Sequence, residues 1–297
     1  MSSINIFEGN YVSVNGVRLH LASAGEPSRP LILFLHGFPE FWYAWRRQLA
    51  EFGATHFAVA PDMRGYNLSS KPDDVSAYAV KHLVEDVREL ARQLGYPGRF
   101  TLVGHDWGGA VAWAFAIAHP ELLERLVIIN APHPGVFARE LRENPAQQQA
   151  SQYMIWFRTP GVETALAADN YALLVRALTA TAAPGTFSEA DLEAYRSAWS
   201  QPGALTGGLN YYRAARIGPP APGGPAASFP VSGDLRVAVP TLVIWGERDH
   251  ALLPGNLDGL DAFVPDLRIE RIPEGSHWVV HEKPQEISRL LRQFIAG

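Results

Sequence analysis

The sequence of 297 residues contains no cysteine, which excludes disulfide bonds, thiolate metal sites and a cysteine nucleophile. It has no strong excess of one charge, since 25 basic and 30 acidic residues give a net charge of -5. No basic run could follow a phosphate backbone, so we expect no nucleic-acid partner. The chain also lacks an apolar run of the roughly 18 residues that a membrane span needs, and its N-terminus lacks an export signal. These absences predict a cytoplasmic protein without membrane association.

Hydrophobic residues make up 47% of the chain and fall into short segments of two kinds. An alternating segment around Asn15 and Gly16 predicts a β-hairpin, and the continuous apolar run 31–35 predicts a strand buried on both faces. Similar runs predict strands at 56–60, 100–103, 126–129, 241–245 and 267–272, and helical spacing predicts helices over 80–94 and 284–295. This alternation of strands and helices predicts a largely parallel α/β sheet.

The alternation stops between about residues 134 and 234. Helical patterns cover 148–157, 165–180 and 189–199, and we find no convincing strand among them. Segment 217–233 holds five prolines and four glycines, which predicts a loop returning to the sheet. We therefore predict three parts: a first part of an α/β core at 1–133, a helical cap at 134–234 and a second part of the core at 235–297.

The stretch GHDWGG at 104–109 has the features of a sharp strand-to-helix turn. It follows the strand 100–103, and Gly104 and Gly108 flank Asp106 at the spacing of a nucleophile elbow. Such a turn exposes its central side chain at the carboxyl edge of the sheet, where open α/β folds bind ligands. Aspartate stands here in the place of the usual serine. The alternative is that Asp106 only caps the following helix, as aspartate often does.

A carboxylate nucleophile predicts a different substrate from a serine nucleophile. Serine attacking a saturated carbon would give a stable ether, whereas a carboxylate gives an alkyl ester that an activated water can hydrolyse. If Asp106 is the nucleophile, its substrate carries an electrophilic saturated carbon with a leaving group, such as an epoxide oxygen or a halide. Nucleophile, base and acid would all be side chains, so no metal or organic cofactor is implied.

Hydrolysis of an ester on Asp106 needs a general base and a group that orients it. His277 follows the last predicted strand and Asp249 follows the one before it, in the order nucleophile, acid, histidine of α/β-hydrolases. His281 and Glu247 are the nearby competitors. The position of His277 beyond the last strand and the Trp-Gly-x-x-Asp spacing favour His277 and Asp249.

The hydrolytic step also needs hydrogen-bond donors for the oxyanion that forms on the ester. The segment HGFPE at 36–40 ends the strand 31–35, so its amides can turn toward Asp106. We predict the backbone amides of Phe38 and Trp107 as the donors. The alternative is that this segment is a simple Gly-Pro turn that ends the strand.

Over almost its whole length the sequence resembles the α/β-hydrolase-fold epoxide hydrolases. The segments that carry the resemblance are HGFPEFWYAWR at 36–46, APDMRGYNLSSKP at 60–72, GHDWGGAVAW at 104–113 and NAPHP at 130–134. The resemblance implies an α/β-hydrolase fold with an inserted cap, and ring opening by Asp106. It further implies hydrolysis by water that His277 activates while Asp249 orients it, with a vicinal diol as product.

The resemblance also implies two cap tyrosines that hydrogen-bond to the departing epoxide oxygen. Tyr153, in YMIWFRTPGVE, is similar to the first, and Tyr212, in LNYYRA, to the second. The adjacent Tyr211 is the alternative for the second position, and either tyrosine could be a packing residue. The chain departs from the family in one place, because Met154 stands where glutamine is often found.

Haloalkane and haloacetate dehalogenases share the aspartate nucleophile and are the main alternative. Haloalkane dehalogenases pair the tryptophan after the nucleophile with a second halide donor, often an asparagine after the HG motif; Trp107 is present here, but Phe38 follows His36-Gly37. Haloacetate dehalogenases carry arginines beside the nucleophile, where this chain has Trp107 and Ala110. A ligand-binding protein without activity is a third possibility, which the complete set of candidate catalytic residues disfavours. We predict a small to medium, largely apolar epoxide as substrate, in a pocket between sheet and cap. The candidate lining residues are Trp107, Phe38, Trp278, Trp156 and Tyr43.

Overall fold

The structure, a computed structural model, describes residues 6–220 and 233–297 and is built around one eight-stranded sheet. The strands are β1 (Phe7–Val14), β2 (Val17–Ala24), β3 (Leu31–Leu35), β4 (Phe57–Pro61), β5 (Phe100–His105), β6 (Leu123–Ile129), β7 (Thr241–Gly246) and β8 (Leu267–Ile272). Their spatial order is β1-β2-β4-β3-β5-β6-β7-β8, and β2 pairs antiparallel with β1 and β4. All other pairs are parallel, which confirms the predicted sheet type.

The predicted hairpin is present, and Asn15 and Gly16 take its two left-handed positions with φ of 43° and 79°. Both residues tolerate that conformation, which explains why the turn lies there. Every residue of β3, β4 and β5 is buried, as the continuous apolar runs predict for strands covered by helices on both faces. The carboxyl ends of β3 and β5 therefore lie side by side at the edge that carries the site.

The helices are α1 (Arg46–Phe52), α2 (Val80–Gln93), α3 (Trp107–Ala118), α4 (Pro134–Glu143), α5 (Pro145–Ala150), α6 (Gln152–Trp156), α7 (Val162–Thr179), α8 (Glu189–Trp199), α9 (Ala204–Ala215), α10 (Val279–Glu282) and α11 (Pro284–Ala296). In α2 the apolar positions that predicted the helix form its buried face. Helix α11 buries Ile287, Leu290 and Leu291 in the same way. The sheet and these amphipathic helices enclose a continuous hydrophobic core.

Helices α4–α9 lie between β6 and β7 and differ in detail from the predicted patterns. The predicted helix 148–157 is wrong in extent, because the chain forms α5 and α6 with a break at Ser151. The hydroxyl of Ser151 accepts a hydrogen bond from the side chain of Gln147 at 2.9 Å. Helix α7 changes direction at residues 168–171, three of which have positive φ. Most of the predicted loop 217–233 lies outside the described residues.

Helices α4 and α9 were not predicted from the sequence. Helix α9 contains Gly207 and Gly208, which lower helix propensity and hide its pattern. Tertiary contacts explain both glycines, since a Cβ at Gly207 would lie 2.2 Å from the carbonyl oxygen of Gly65 and one at Gly208 2.9 Å from the ring of Phe38. Close approach of α9 to the core therefore outweighs local propensity here.

Candidate active site

Asp106 occupies the turn between β5 and α3 in a strained backbone conformation, with φ of 50° and ψ of -121°. Non-glycine residues rarely adopt positive φ, and such strain is concentrated at functional sites. Gly108 permits the turn, because a Cβ there would lie 2.2 Å from the carbonyl oxygen of Leu35. The Asp106 side chain makes no capping hydrogen bond to α3. Instead its Oδ1 accepts a hydrogen bond from the backbone amide of Phe38 at 2.7 Å, so the capping alternative is wrong.

The segment after β3 is shaped around the Asp106 carboxylate. A Cβ at Gly37 would lie 2.2 Å from Oδ1 of Asp106, so only glycine allows this approach. The ring of His36 links this segment to the residues after β4, since its Nε2 accepts a hydrogen bond from the Met63 amide at 3.1 Å. The Phe38 amide thereby points at one carboxylate oxygen. Trp107, whose amide is the second predicted donor, is the first residue of α3.

His277 lies between the two aspartates. Its Nε2 is 3.7 Å from Oδ2 of Asp106, and its Nδ1 is 2.7 Å from Oδ2 of Asp249. Burial lowers the pKa of His277, but the contact with Asp249 and the charge of Asp106 outweigh burial and raise this pKa to about 9. The resting arrangement therefore stabilises an imidazolium between two carboxylates.

Asp249 is a buried carboxylate whose oxygens all have partners. Its Oδ1 accepts hydrogen bonds from the amides of Ala251 and Leu252 at 2.8 and 2.9 Å. Burial by itself raises the pKa of Asp249, but His277 and these donors lower it further than burial raises it. The competing Glu247 instead pairs with Arg271 at 2.9 Å on the protein surface.

Asn130 contributes to this arrangement and was missed as a functional candidate in the sequence. Its Nδ2 donates to Oδ2 of Asp249 at 2.8 Å, and its Oδ1 accepts from the Gly246 amide at 2.8 Å. The side chain thus fixes the oxygen that also contacts His277. Its position directly after β6, at the start of the NAPHP segment, was the signal that could have identified it.

Two tyrosines from the helices above the sheet face Asp106. Tyr153 lies on α6 and Tyr212 on α9, and their ring centroids are 6.2 Å apart. Burial, followed by the charge of Asp106, raises the pKa of both hydroxyls well above the ordinary value. Tyr211 is fully buried, and its hydroxyl donates to the carbonyl of Arg64 at 2.9 Å. Tyr212, not Tyr211, is therefore the one that lines the cavity.

Asp106, Tyr153 and Tyr212 line both lobes of a cavity between the sheet and the helices. The large lobe has a volume of about 390 Å³ and includes Phe38, Trp156, Trp278 and His277 in its wall. The small lobe has about 30 Å³, and its wall includes Trp107, Ala110, Phe137, Met154 and Ile217. Leu173 and Trp156, 45% and 40% exposed, form an apolar rim of the large lobe.

Tyr43, another predicted lining residue, lies in neither lobe. Its hydroxyl donates to Oδ1 of Asp191 on α8 at 3.0 Å.

Among residues 6–220 and 233–297, no cluster of three or more histidine and acidic side chains could hold a metal ion. No helix in this part of the chain has both the length and the apolar character that a bilayer crossing requires.

The fold and the aspartate–histidine–aspartate site are those of an α/β hydrolase that carries a carboxylate at the elbow between β5 and α3. Residues 30–284 match the family described as having the alpha/beta hydrolase fold. The chain is similar to an epoxide hydrolase from Bacillus megaterium, solved with an inhibitor, at 40% identity and a TM-score of 0.89, covering 97% of this chain and 100% of that one. A variant of that enzyme, solved with its product, a 3-naphthyloxy-propane-1,2-diol, is 39% identical with a TM-score of 0.88 over 97% and 100% of the two chains.

A curated relative extends the similarity to animals. Epoxide hydrolase 3 of Xenopus tropicalis is 38% identical over 289 residues, which are 95% of this chain and 75% of that protein. The chain therefore belongs to the epoxide hydrolases of the α/β-hydrolase fold. The predicted family is confirmed, and the dehalogenase alternative is not favoured.

Proposed function

We propose that the enzyme converts epoxides to vicinal diols through an alkyl ester on Asp106. The observation that carries this proposal is the position of Tyr153 and Tyr212, which line the same cavity as Asp106 and lie close enough for its charge to raise the pKa of both hydroxyls. One carboxylate oxygen is held by the Phe38 amide, which leaves Oδ2 free to attack. An electrophile between the carboxylate and two neutral hydroxyl donors suits an epoxide, because its ring oxygen gains charge as the ring opens.

In the first step, Oδ2 of Asp106 forms a bond to one epoxide carbon and the bond from that carbon to the ring oxygen breaks. The ring oxygen keeps the electron pair and takes a proton from Tyr153 or Tyr212. The raised pKa of both hydroxyls keeps them protonated in the resting enzyme, so either can act as the donor. The product of this step is an ester on Asp106 and a neighbouring hydroxyl.

Esterification removes the negative charge of Asp106, which is one of the causes of the raised pKa of His277, and the imidazolium releases its proton to solvent. In the second step, the neutral His277 takes a proton from water and the resulting hydroxide adds to the Asp106 carboxyl carbon. Negative charge develops on Oδ1, where the Phe38 amide donates. When this tetrahedral intermediate collapses, the bond between the carboxyl carbon and Oδ2 breaks, and Oδ2 leaves with the substrate carbon as an oxygen of the diol. His277 then protonates the departing alkoxide, and the proton of the regenerated acid returns to the tyrosinate.

The unequal lobes orient the substrate. The large lobe accepts an aryl or alkyl substituent, whereas the small lobe has space for about one water molecule or a methyl group. We propose an apolar epoxide with one large and one small end. The Bacillus megaterium relative, whose diol product carries one large aromatic ether, is consistent with this shape.

We expect the enzyme to be located in the cytoplasm.

Replacement of His277 with glutamine tests the mechanism. His277→Gln removes the base but not the nucleophile, so the ester should accumulate and intact mass should rise by the full mass of styrene oxide. Digestion should place the added mass on the peptide containing Asp106. A haloalkane handled by the same nucleophile would add its mass less the hydrogen halide. His119→Gln, on the surface beside Glu85, is the matched control and should show no adduct. Absence of any adduct on Asp106 would contradict the proposal.

A further inference from the structure

The side chain of Gln147, on α5, is fully buried and forms a hydrogen bond at every position where an amide can form one. Its Nε2 donates to the carbonyl oxygen of Ala251 at 2.8 Å and to the hydroxyl of Ser151 at 2.9 Å. Its Oε1 accepts from the backbone amide of Leu253 at 2.9 Å and from Nδ2 of Asn256 at 2.8 Å. A side-chain amide has two donor hydrogens and an oxygen with two lone pairs, so all four positions are used.

These partners fix the orientation of the Gln147 amide. The Ala251 carbonyl can only accept and the Leu253 amide can only donate, so Nε2 and Oε1 cannot exchange places. Three of the four partners lie in residues 251–256, which follow the acid Asp249 closely and which we call the acid loop. Gln147 thus connects a helix inserted between β6 and β7 to the loop that carries the acid.

One peptide unit of the acid loop lies between Gln147 and Asp249. Its carbonyl, that of Ala251, accepts from Gln147, and its N–H, that of Leu252, donates to Oδ1 of Asp249 at 2.9 Å. Because a peptide unit is planar, the direction of the carbonyl also sets the direction of the N–H. Hydrogen bonds in such a chain also polarise and strengthen one another. The amide of Gln147 therefore acts on the Asp249 carboxylate without touching it.

The position of Asp249 matters because this carboxylate orients the base. Burial raises the pKa of Asp249, but His277 and then the Leu252 amide contribute to lowering it further than burial raises it. Oδ2 of Asp249 lies 2.7 Å from Nδ1 of His277, so a displaced carboxylate would turn the imidazole with it. Small displacements of a reacting group are costly in rate.

Charged groups face the acid loop from α4 and from the site. Arg139 and Glu140 on α4 pair with each other at 3.0 Å, and Arg139 also donates to the carbonyl of Gly255 at 3.2 Å. Asp249 and His277 lie at the other end of the loop. In the part of the chain that the structure describes, the four partners of the Gln147 amide are all uncharged. These four hydrogen bonds therefore do not depend on pH in the unmodified enzyme.

We propose that Gln147 is a positioning residue for the hydrolytic step, which holds the Ala251–Leu252 peptide so that its N–H stays directed at Asp249. This inference rests on the proposed function, in which Asp249 orients His277. The first step uses Asp106 and the two tyrosines, whereas the second needs the oriented base. Loss of the Gln147 amide should therefore slow the second step and spare the first.

Gln147→Met tests this division between the steps. Methionine has a similar volume but forms none of the four hydrogen bonds. The backbone amide of Ser151 donates to the backbone oxygen of Gln147 at 3.0 Å, so α6 and Tyr153 should keep their place. In single turnovers of styrene oxide, ester formation should change by less than about threefold and ester hydrolysis should slow by about tenfold or more. Equal slowing of both steps, or unchanged hydrolysis, would overturn the proposal.

Gln48→Met is the matched control for the loss of a buried amide. Gln48, on α1, is also fully buried, and its Nε2 donates to the carbonyl of Pro284 at 3.4 Å. Its replacement should lower the thermal transition and leave both rates unchanged. If Gln48→Met slowed hydrolysis as much as Gln147→Met, the proposal would be overturned.

Gln147→Glu keeps the shape of the side chain and makes one hydrogen bond depend on pH. A protonated carboxyl can donate to the Ala251 carbonyl and accept from the Leu253 amide, so at the acid end of the profile the variant should hydrolyse the ester like the unmodified enzyme. A carboxylate has no hydrogen to donate and repels the Ala251 carbonyl. The ratio of variant to unmodified hydrolysis rate should therefore fall as pH rises through the pKa of this carboxyl, which burial raises.

Circular dichroism at each pH checks that Gln147→Glu is folded, and a constant ratio of rates in the folded variant would overturn the proposal. The outcomes also separate this inference from the proposed function. If both Gln147 variants form and hydrolyse the ester like the unmodified enzyme, Gln147 has no positioning role and the proposed function stands. If the folded unmodified enzyme and folded Gln48→Met form no ester on Asp106, the proposed function itself fails.

Discussion

The close approach of Gly37 to Asp106 allows a substitution whose effect can be calculated from the structure. In Gly37→Ala the added Cβ would lie 2.2 Å from Oδ1 and 2.6 Å from Cγ of Asp106, whereas ordinary contact begins at 3.4 Å. The carboxylate must therefore move by about 1 Å, and it loses the 2.7 Å hydrogen bond from Phe38. A displacement of about 1 Å at a reacting group costs on the order of 100-fold in rate.

We expect kcat/KM of Gly37→Ala to fall by about 100-fold or more, which corresponds to about 2.7 kcal/mol in transition-state stabilisation. The assay measures diol formation from styrene oxide at low substrate concentration, together with the rate of ester formation in a single turnover. The added Cβ would also lie 2.3 Å from Cβ of Asp106, so the backbone at one of the two turns must shift as well. Thermal melting therefore checks that the variant is folded before its rate is interpreted.

Gly98→Ala is the matched control, because a Cβ there meets no atom within 4 Å. It should keep the kcat/KM of the unmodified enzyme. If folded Gly37→Ala retained activity within about threefold, the carboxylate would not need the position that the structure gives it. Gly37 would then have no role in positioning the Asp106 carboxylate for attack.

Two further predictions concern the cavity. Tyr212→Phe should slow ester formation, measured in a single turnover, by about 100-fold or more. Tyr211→Phe should barely change that rate but should lower the free energy of unfolding, measured in urea, by about 1–2 kcal/mol. The reverse pattern would exclude Tyr212 as the donor. Because the small lobe has about 30 Å³, kcat/KM for styrene oxide should exceed that for trans-stilbene oxide by about tenfold or more. Equal values would contradict the proposed orientation.

The strands and the order of the candidate residues could be predicted because local patterns encode them. The apolar run 31–35 and the Asn15-Gly16 turn are found where predicted, since burial on both faces and left-handed φ demand those residue types. The spacing around Asp106 likewise depends on glycines that a short turn requires. Helix α9 could not be predicted in this way, because Gly207 and Gly208 are required by close contacts with Gly65 and Phe38, which are distant in the sequence.

The sequence by itself determined the α/β class, the family and the candidate residues Asp106, Asp249 and His277. Only the tertiary structure decided which neighbours act on them. Asn130 contacts Asp249 across 119 positions of sequence, and Gln147 contacts Ala251 across 104. The choice of Tyr212 over Tyr211 depends likewise on which side of α9 faces the cavity. Such choices escape local patterns because they depend on hydrogen bonds and packing between segments far apart in the chain.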